Sequence, residues 1–433
     1  MGLFDWLKGL VGGGPPRDSG DSSPEQTLAQ AAEKLGIDRR DRAPTLKKLR
    51  YRSALVHTPG KQTAAGRKRP YIGAPRDVRV GTWLDFSTDA DPRWLDYYGL
   101  PLLKTPDDLA AWLGIPFGKL AWLSCRWKHG FRPATVDAAH YHFRWVQKRS
   151  GGLRLIEAPK VQLKAVQLQI LRGILDHVPV HPQAHGFCHG RSTLTNAEPH
   201  VGRRIVLKLD LENFYPNVRY SRVVAIFRGL GFSRDVALWL SRLTTSAVPW
   251  NADSKLQHPL HLAALGCFQR HLPQGAPTSP ALANLSAYAL DVRMAGLARK
   301  FSANYTRYAD DLTFSGARRF AGALRDFIPL ARQIVRDERF RLNRSKGRVL
   351  RNNQRQTVTG VVVNSKPNVR RDEYDCLKAT LHNCLKLGPA GQNRDRHPRF
   401  AEHLRGRIAY VTQLNAVRGA KLLAMYERID WQR

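Results

Sequence analysis

The chain has 433 residues, 42% of them hydrophobic, which is enough for two or three domains with real cores and excludes wholesale disorder. It carries 70 Lys and Arg against 35 Asp and Glu, a formal net charge of +35. That excess calls for a polyanionic partner, with nucleic acid ahead of a membrane surface, and no apolar run is long enough to span a bilayer.

Met1 to Leu10 (MGLFDWLKGL) is a short apolar opening that ends in Gly12-Gly13-Gly14-Pro15-Pro16. It lacks a basic start and has no Ser or Thr at position 6, so a tethered peptide fits better than a signal peptide or a myristoylation site. Ser23-Pro24-Glu25 predicts a cap and a first-turn proline for a helix to Leu35. Asp38 to Arg69 holds eleven Lys/Arg and two acidic residues. Such a segment is a solvated linker, a basic arm that orders on phosphates, or both. The five cysteines (Cys125, Cys188, Cys267, Cys376 and Cys384) are scattered and form no CxxC pair, which predicts a reduced, cytoplasmic setting.

Globular sequence begins near Tyr71. Thr105-Pro106-Asp107-Asp108 predicts a capped helix start, Leu109, Trp112 and Leu113 follow at helical spacing, and Gly114 ends the helix. A second short helix is expected over Gly118–Leu123. Tyr141–Val146 and Leu153–Ile156, split by Ser150-Gly151-Gly152, predict a strand hairpin, and Val161–Leu175 a helix. His181, His185, Cys188 and His189 lie close together but match no structural zinc spacing.

Ile205–Leu209 (IVLKL) is an apolar run ending at Asp210, as expected of a buried strand with a carboxylate at its end. Asn213–Pro216 turns the chain, and Tyr220–Leu230 and Ser233–Leu243 read as helices. Leu272–Pro280 (LPQGAPTSP) is a Gly/Pro-rich loop, after which Ser279 as cap and Pro280 as first residue open one long helix to Lys300. Asn304–Ser315 (NYTRYADDLTFS) alternates about Ala309-Asp310-Asp311 and predicts two strands with a tight turn. On its own the Asp-Asp pair reads as a solvated turn. Joined by Asp210, it can hold two Mg²⁺ ions about 3.5–4 Å apart. Leu324–Arg336 is then a helix, and Gly347–Leu350 and Thr357–Val363 are strands. Beyond Pro367, three apolar stripes at helical spacing, with Lys and Arg facing outward, predict a basic bundle that grips nucleic acid.

Asp210 with aromatic residues four and five places on, the Gln274-Gly275 loop, and Tyr308-Ala309-Asp310-Asp311 occur in the order seen in reverse transcriptases. The chain resembles that family over roughly Tyr141 to Lys366. The resemblance implies an α+β right-hand polymerase. Residues 1–70 would be a basic extension, 71–200 N-terminal helices and fingers, 201–366 an antiparallel-sheet palm, and 367–433 a helical, RNA-binding thumb. Within the family the chain looks most like the bacterial retron group. Asn196-Ala197-Glu198-Pro199-His200 matches the group's NAxxH signature and Val358-Thr359-Gly360 its VTG signature. Leu381-His382-Asn383-Cys384, Leu404 to Tyr410 and Asn415 resemble its thumb, and the long basic extension is similar to the myxobacterial type.

The resemblance implies two Mg²⁺ ions bridged by Asp210 and Asp310, with Asp311 and the Leu211 carbonyl completing the site. Arg154, Lys164, Gln274, Gly275 and Lys346 would bind the deoxynucleoside triphosphate. Tyr215 would exclude a 2′-hydroxyl. Asn196, His200, Arg405, Arg407 and Lys421 would contact RNA. The implied partners are a structured noncoding RNA, its multicopy single-stranded DNA product, and a separate effector protein in antiphage defence. Synthesis would start from a guanosine 2′-hydroxyl. The rival readings are a group II intron-like or phage-resistance reverse transcriptase, and a nucleic-acid-binding scaffold that holds an effector.

Overall fold

In the stretch Ile205–Asp210 the odd positions are Ile205, Leu207 and Leu209 and the even ones Val206, Lys208 and Asp210. A strand sends these two sets to opposite faces of a sheet, one wholly apolar and one mixed. The computed structural model describes residues 61–62, 68–77, 81–124, 133, 135–148, 151–249 and 269–431. The expectations for residues 1–60, including the Ser23–Leu35 helix and most of the basic segment, lie outside the described residues.

Ahead of this stretch the chain forms helices α1 (Pro92–Tyr97), α2 (Pro106–Trp112) and α3 (Phe117–Leu123). Hairpin strands β1 (Tyr141–Gln147) and β2 (Leu153–Pro159), helix α4 (Val161–Gly173) and a short α5 (Thr193–Ala197) follow. Strand β3 (Ile205–Asp210) leads to α6 (Phe214–Asn217), α7 (Tyr220–Gly229) and α8 (Arg234–Leu243). Next come α9 (Ser279–Ser286), α10 (Tyr288–Lys300), strands β4 (Ala303–Tyr308) and β5 (Asp311–Gly316), and α11 (Leu324–Asp337). Strand β6 (Arg348–Arg351) and the short β7 (Thr357–Val358) and β8 (Val361–Val362) precede three C-terminal helices. These are α12 (Arg371–Leu387), α13 (Phe400–Leu414) and α14 (Ala416–Tyr426). Helices combined with antiparallel sheets make an α+β fold.

The main sheet runs β4-β5-β3-β6, with every neighbouring pair antiparallel. Its apolar face carries Ile205, Leu207 and Leu209 with Tyr305, Leu312 and Phe314, and these join one large core with Met294 of α10 and Phe327, Ala331 and Val335 of α11. Each fully buried Leu or Phe there stabilises the fold by about 1.5–3 kcal/mol. The mixed face is divided. At one end Asp210 stands opposite Asp311. At the other, Val206 enters a second core with Ala197, Val358, Val361 and the apolar stripes of α12 and α13, including Leu377, Leu381, Leu404 and Ile408.

Helix α2 starts as expected, with Thr105 and Asp108 forming a reciprocal capping box behind Pro106. The β1–β2 turn uses Gly151 and Gly152 at φ 82° and 77°. Two elements differ from the sequence reading. The single helix expected from Pro280 to Lys300 is broken at Ala287, which has φ −91° and ψ 0°. Small polar side chains loosen it there, because Ser286 Oγ turns back to the Ala283 carbonyl and Asn284 Nδ2 leaves for the Gly186 carbonyl. Ser279 is not the cap, since its hydroxyl donates to the Pro273 carbonyl at 2.7 Å and Thr278 takes the cap position. The strand expected over Thr357–Val363 is a tight hairpin instead. Val358 pairs with Val361, and Thr359 and Gly360 between them sit at φ 46° and 88°.

Candidate active site

Strands β4 and β5 are joined by the two residues Ala309 and Asp310, since Tyr308 already pairs with Asp311. Ala309 carries a φ of 54°, in the left-handed region that such short turns use and that favours glycine. Three contacts hold this turn in place. The Leu211 amide donates to the Asp310 carbonyl at 2.9 Å, tying the tip to the end of β3. Gly186 packs on the turn so closely that an added Cβ would lie 2.6 Å from the Ala309 nitrogen. From the apolar side, Arg307 Nη1 donates to the Ala309 carbonyl at 3.1 Å.

Arg307 is itself fully buried. Its Nε and Nη2 donate to the two oxygens of Asp291 at 2.7 and 2.6 Å, and its Nη1 also reaches Asn284 Oδ1 at 2.9 Å. Tyr305 donates to Asp291 as well. Burial disfavours the Arg307 charge, but the Asp291 carboxylate outweighs it and keeps the guanidinium protonated. The sequence reading missed this group. The signal was a lone Asp on α10 and an Arg on an otherwise apolar strand face.

The carboxylates on the other face are less completely partnered. Burial, and after it the charges of Asp311 and Asp210, push Asp310 up to about 6. Burial also raises Asp311. Asp210 accepts from Lys346 Nζ at 2.9 Å, and that bond raises the lysine against the opposing effect of its burial. Among the described residues no three His, Cys, Asp or Glu side chains are gathered tightly enough to enclose a metal by themselves, and this includes the His181–His189 group. A cluster of carboxylates that repel one another fits a hard divalent cation, which would take the rest of its shell from water, carbonyl or phosphate oxygens.

A cleft of about 730 Å³ opens over this tip. Asp210, Leu211, Asp310, Tyr215, Gln274, Gly275, Arg154, Lys164 and Lys346 all line it, although they lie far apart in sequence. Asp311 does not line it. Asn213 sits in the left-handed region at φ 46° and turns the chain so that Phe214 enters the core and Tyr215 borders the cleft. Gly275 has φ 137°, and a Cβ there would lie 3.0 Å from the Glu157 carbonyl. The Glu157 amide donates to Gln274 at 2.9 Å, so the loop is zipped to β2. The lining also includes residues that were not anticipated. Lys148 adds a cation, and Phe187 is an exposed ring at φ 60° beside Tyr308.

Residues 146–363 match the family model described as reverse transcriptase (RNA-dependent DNA polymerase). The chain is 43% identical over 332 residues to the retron Mx65 reverse transcriptase of Myxococcus xanthus, across 77% of this chain and 73% of that protein. It is 36% identical over 347 residues to the retron Mx162 reverse transcriptase of the same organism, across 77% and 68%. The chain belongs to the retron reverse transcriptases. It is therefore an RNA-directed DNA polymerase. The retron Ec86 reverse transcriptase of Escherichia coli is a more distant match, 29% identical across 77% of this chain and 91% of that protein.

In this retron reverse transcriptase the expected RNA contacts divide. Arg405 of α13 and Lys421 of α14 are exposed, and Arg407 is half-buried. Asn196 and His200 are both 0% exposed and bonded to other protein groups, so neither offers an atom to a nucleic acid. The expectation for these two is corrected, because a fully buried side chain cannot be a surface contact. Three cysteines, Cys188, Cys376 and Cys384, are free thiols, and among the described residues no helix is long and apolar enough to cross a membrane.

Proposed function

We propose that the cleft over Asp210 and Asp310 is the site where deoxynucleotides are joined, and that its product is a branched RNA–DNA molecule begun on the protein's own cognate RNA. The observation that carries this reading is the convergence of Asp210, Asp310, Tyr215, Gln274, Arg154 and Lys346 on one cleft in a chain with retron relatives. Asp210, Asp310, Asp311 and the Leu211 carbonyl would hold two Mg²⁺ ions there. When bound, the ions lower the pKa of the attacking hydroxyl and neutralise the triphosphate.

The chain's own groups do the positioning. Arg154, Lys164 and Lys346 hold phosphate oxygens through charge-assisted bonds. Lys346, bonded to Asp210 without substrate, exchanges that carboxylate for phosphate when the nucleotide enters. Gln274 and Gly275 let the backbone approach the new base pair, and Tyr215 blocks a 2′-hydroxyl on the incoming sugar. Residues 71–200 act as fingers, 201–366 as palm and 367–433 as thumb, with residues 1–70 as a basic extension. Arg405, Arg407 and Lys421 grip a folded noncoding RNA through its phosphates and 2′-hydroxyls. A 2′-hydroxyl is no better a nucleophile than a 3′-hydroxyl, so a guanosine 2′-OH is chosen by placement near Asp210 and Asp310. The multicopy single-stranded DNA that results serves antiphage defence in the cytoplasm together with a separate effector.

The test is linkage mapping of DNA made on the RNA encoded beside the gene. A 2′–5′ branch at one guanosine is expected from the wild type, and no product from Asp310→Asn, which should bind the RNA normally. Only 3′–5′ linkages would end the retron priming reading. Near-normal synthesis by Asp310→Asn would end the metal assignment.

A further inference from the structure

Asn196 and His200 are buried, and the bonds they make span the molecule. His200 Nδ1 bonds Ser315 Oγ at 2.6 Å and its Nε2 bonds Thr306 Oγ1 at 2.8 Å. Thr306 lies on β4 and Ser315 on β5, so one imidazole ties both arms of the strand pair that carries Asp310 and Asp311. Both hydroxyls are on the sheet face that bears the aspartates, because residues of the same parity share a face. Burial, with His185 and Arg203 adding to it, lowers His200 to about 3, so the ring stays neutral and suited to hydroxyl partners. Thr306 Oγ1 donates in turn to the Asn196 carbonyl at 3.3 Å.

The same short segment reaches the base of the C-terminal helices. Asn196 Nδ2 donates to Thr359 Oγ1 at 3.3 Å, and Thr359 Oγ1 donates to the Thr193 carbonyl at 3.4 Å. Tyr410 of α13 hydrogen-bonds the Thr193 side chain. Ala197 is packed in the core of α12–α14 with Val358 and Val361. Thr359 is β-branched, yet it stands at φ 46° in a two-residue turn where glycine or asparagine is at ease. Asn196 Oδ1 is buried and has no hydrogen-bond partner among the described residues. Two local costs thus meet at one contact. A sequence selected for stability alone would remove both, and strain of this kind marks a functional constraint.

We infer that Thr193–His200 and Val358–Gly360 form one hydrogen-bonded latch, in which Asn196, His200 and Thr359 are positioning residues that couple the C-terminal helices to the catalytic strand pair. RNA held by the C-terminal helices then sets the register of the Asp310–Asp311 turn through Thr359, Asn196, Thr306 and His200. The two motifs do not read RNA. This inference rests on the proposed initiation from a cognate RNA gripped by those helices.

The experiment compares wild type, Thr359→Gly and Asn196→Ala. Thr359→Gly relieves the strained turn while removing the hydroxyl, so it keeps the fold and breaks the latch. Three quantities are measured for each protein: initiation on the cognate RNA, extension of an annealed exogenous primer–template, and affinity for the cognate RNA across a salt series. Initiation should fall at least about tenfold in both variants, while extension and RNA affinity stay within about twofold of wild type. Initiation unchanged in Thr359→Gly overturns the latch, as does an equal fall of initiation and extension, which marks a merely structural role. A loss of RNA affinity matching the loss of initiation also overturns it, since the motifs would then contact RNA. Failure of the wild type itself to initiate on the cognate RNA ends the priming reading, and the latch with it.

Discussion

On one face of the β4–β5 pair, Arg307 and Asp291 are wholly buried and bonded to each other, to Tyr305, to Asn284 and to the Ala309 carbonyl. On the other face Asp210 is buried, Asp310 and Asp311 are half-buried, and their charges oppose one another. Both groups are ionic, and both adjoin the Ala309–Asp310 turn. The difference lies in who completes them. The first is closed by the chain alone, which fixes the turn before any substrate arrives. The second is left short of positive charge, a deficit that Lys346 fills only in part. A rigid frame behind an incomplete site is the arrangement that preorganised electrostatic catalysis requires.

Breaking the closed side should have the largest effect. Arg307→Met leaves Asp291 buried without its guanidinium and should cost about 3–5 kcal/mol in denaturant unfolding. Arg307→Met combined with Asp291→Leu should recover most of that loss, because no charge is then stranded. A single variant as stable as wild type would mean that the pair does not frame the turn.

A smaller effect is expected where frame and site touch. In Gly186→Ala the new Cβ meets backbone at 2.6 Å, and the Ala309–Asp310 turn has to shift. Turnover should fall about tenfold or more, with the KM for nucleotide little changed, since a misplacement of an ångström or less is costly in the transition state. An unaltered kcat would show that the turn can move without consequence.

The smallest effect sharpens the open side. Asp310 is raised to about 6 in the fold from 3.8. The folded, metal-free protein thus binds this proton more tightly than the unfolded chain does. The stability cost of the charge is absent below the lower value, grows between the two, and is fully present above about 6. In chelator, Asp310→Asn should therefore gain in thermal midpoint over wild type as pH rises through that window, and the two should converge at the acid end. A difference that is flat with pH would show that Asp310 is not strained by its neighbours.

These regions also differ in how far the sequence exposes them. The apolar run Ile205–Leu209 and the alternation in Asn304–Ser315 are local, and they gave the strands and the turn. Leu272–Pro280 was legible as a loop for the same reason, since backbone preferences act over a few residues, whereas the place of Gln274 and Gly275 at the cleft was implied by the resemblance to reverse transcriptases. The break at Ala287 was not legible, because the apolar stripe continues through it and only the bond from Asn284 to distant Gly186 reveals its use. Asn196 and His200 could be recognised as a motif, but their burial could not be foreseen.

The sequence by itself determined the strands and the turn that carry Asp210, Asp310 and Asp311, since an apolar run and an alternation are properties of short segments. It also determined the demand for a polyanion, which is a matter of summed charge. Only the tertiary structure decided which polar groups face the cleft and which serve the frame. Arg307 finds Asp291, His200 finds Thr306 and Ser315, and Asn196 finds Thr359 through packing of segments far apart in the chain. A polar side chain's role depends on whether water or a bonded partner surrounds it, and burial is fixed by those long-range contacts, which no local periodicity encodes.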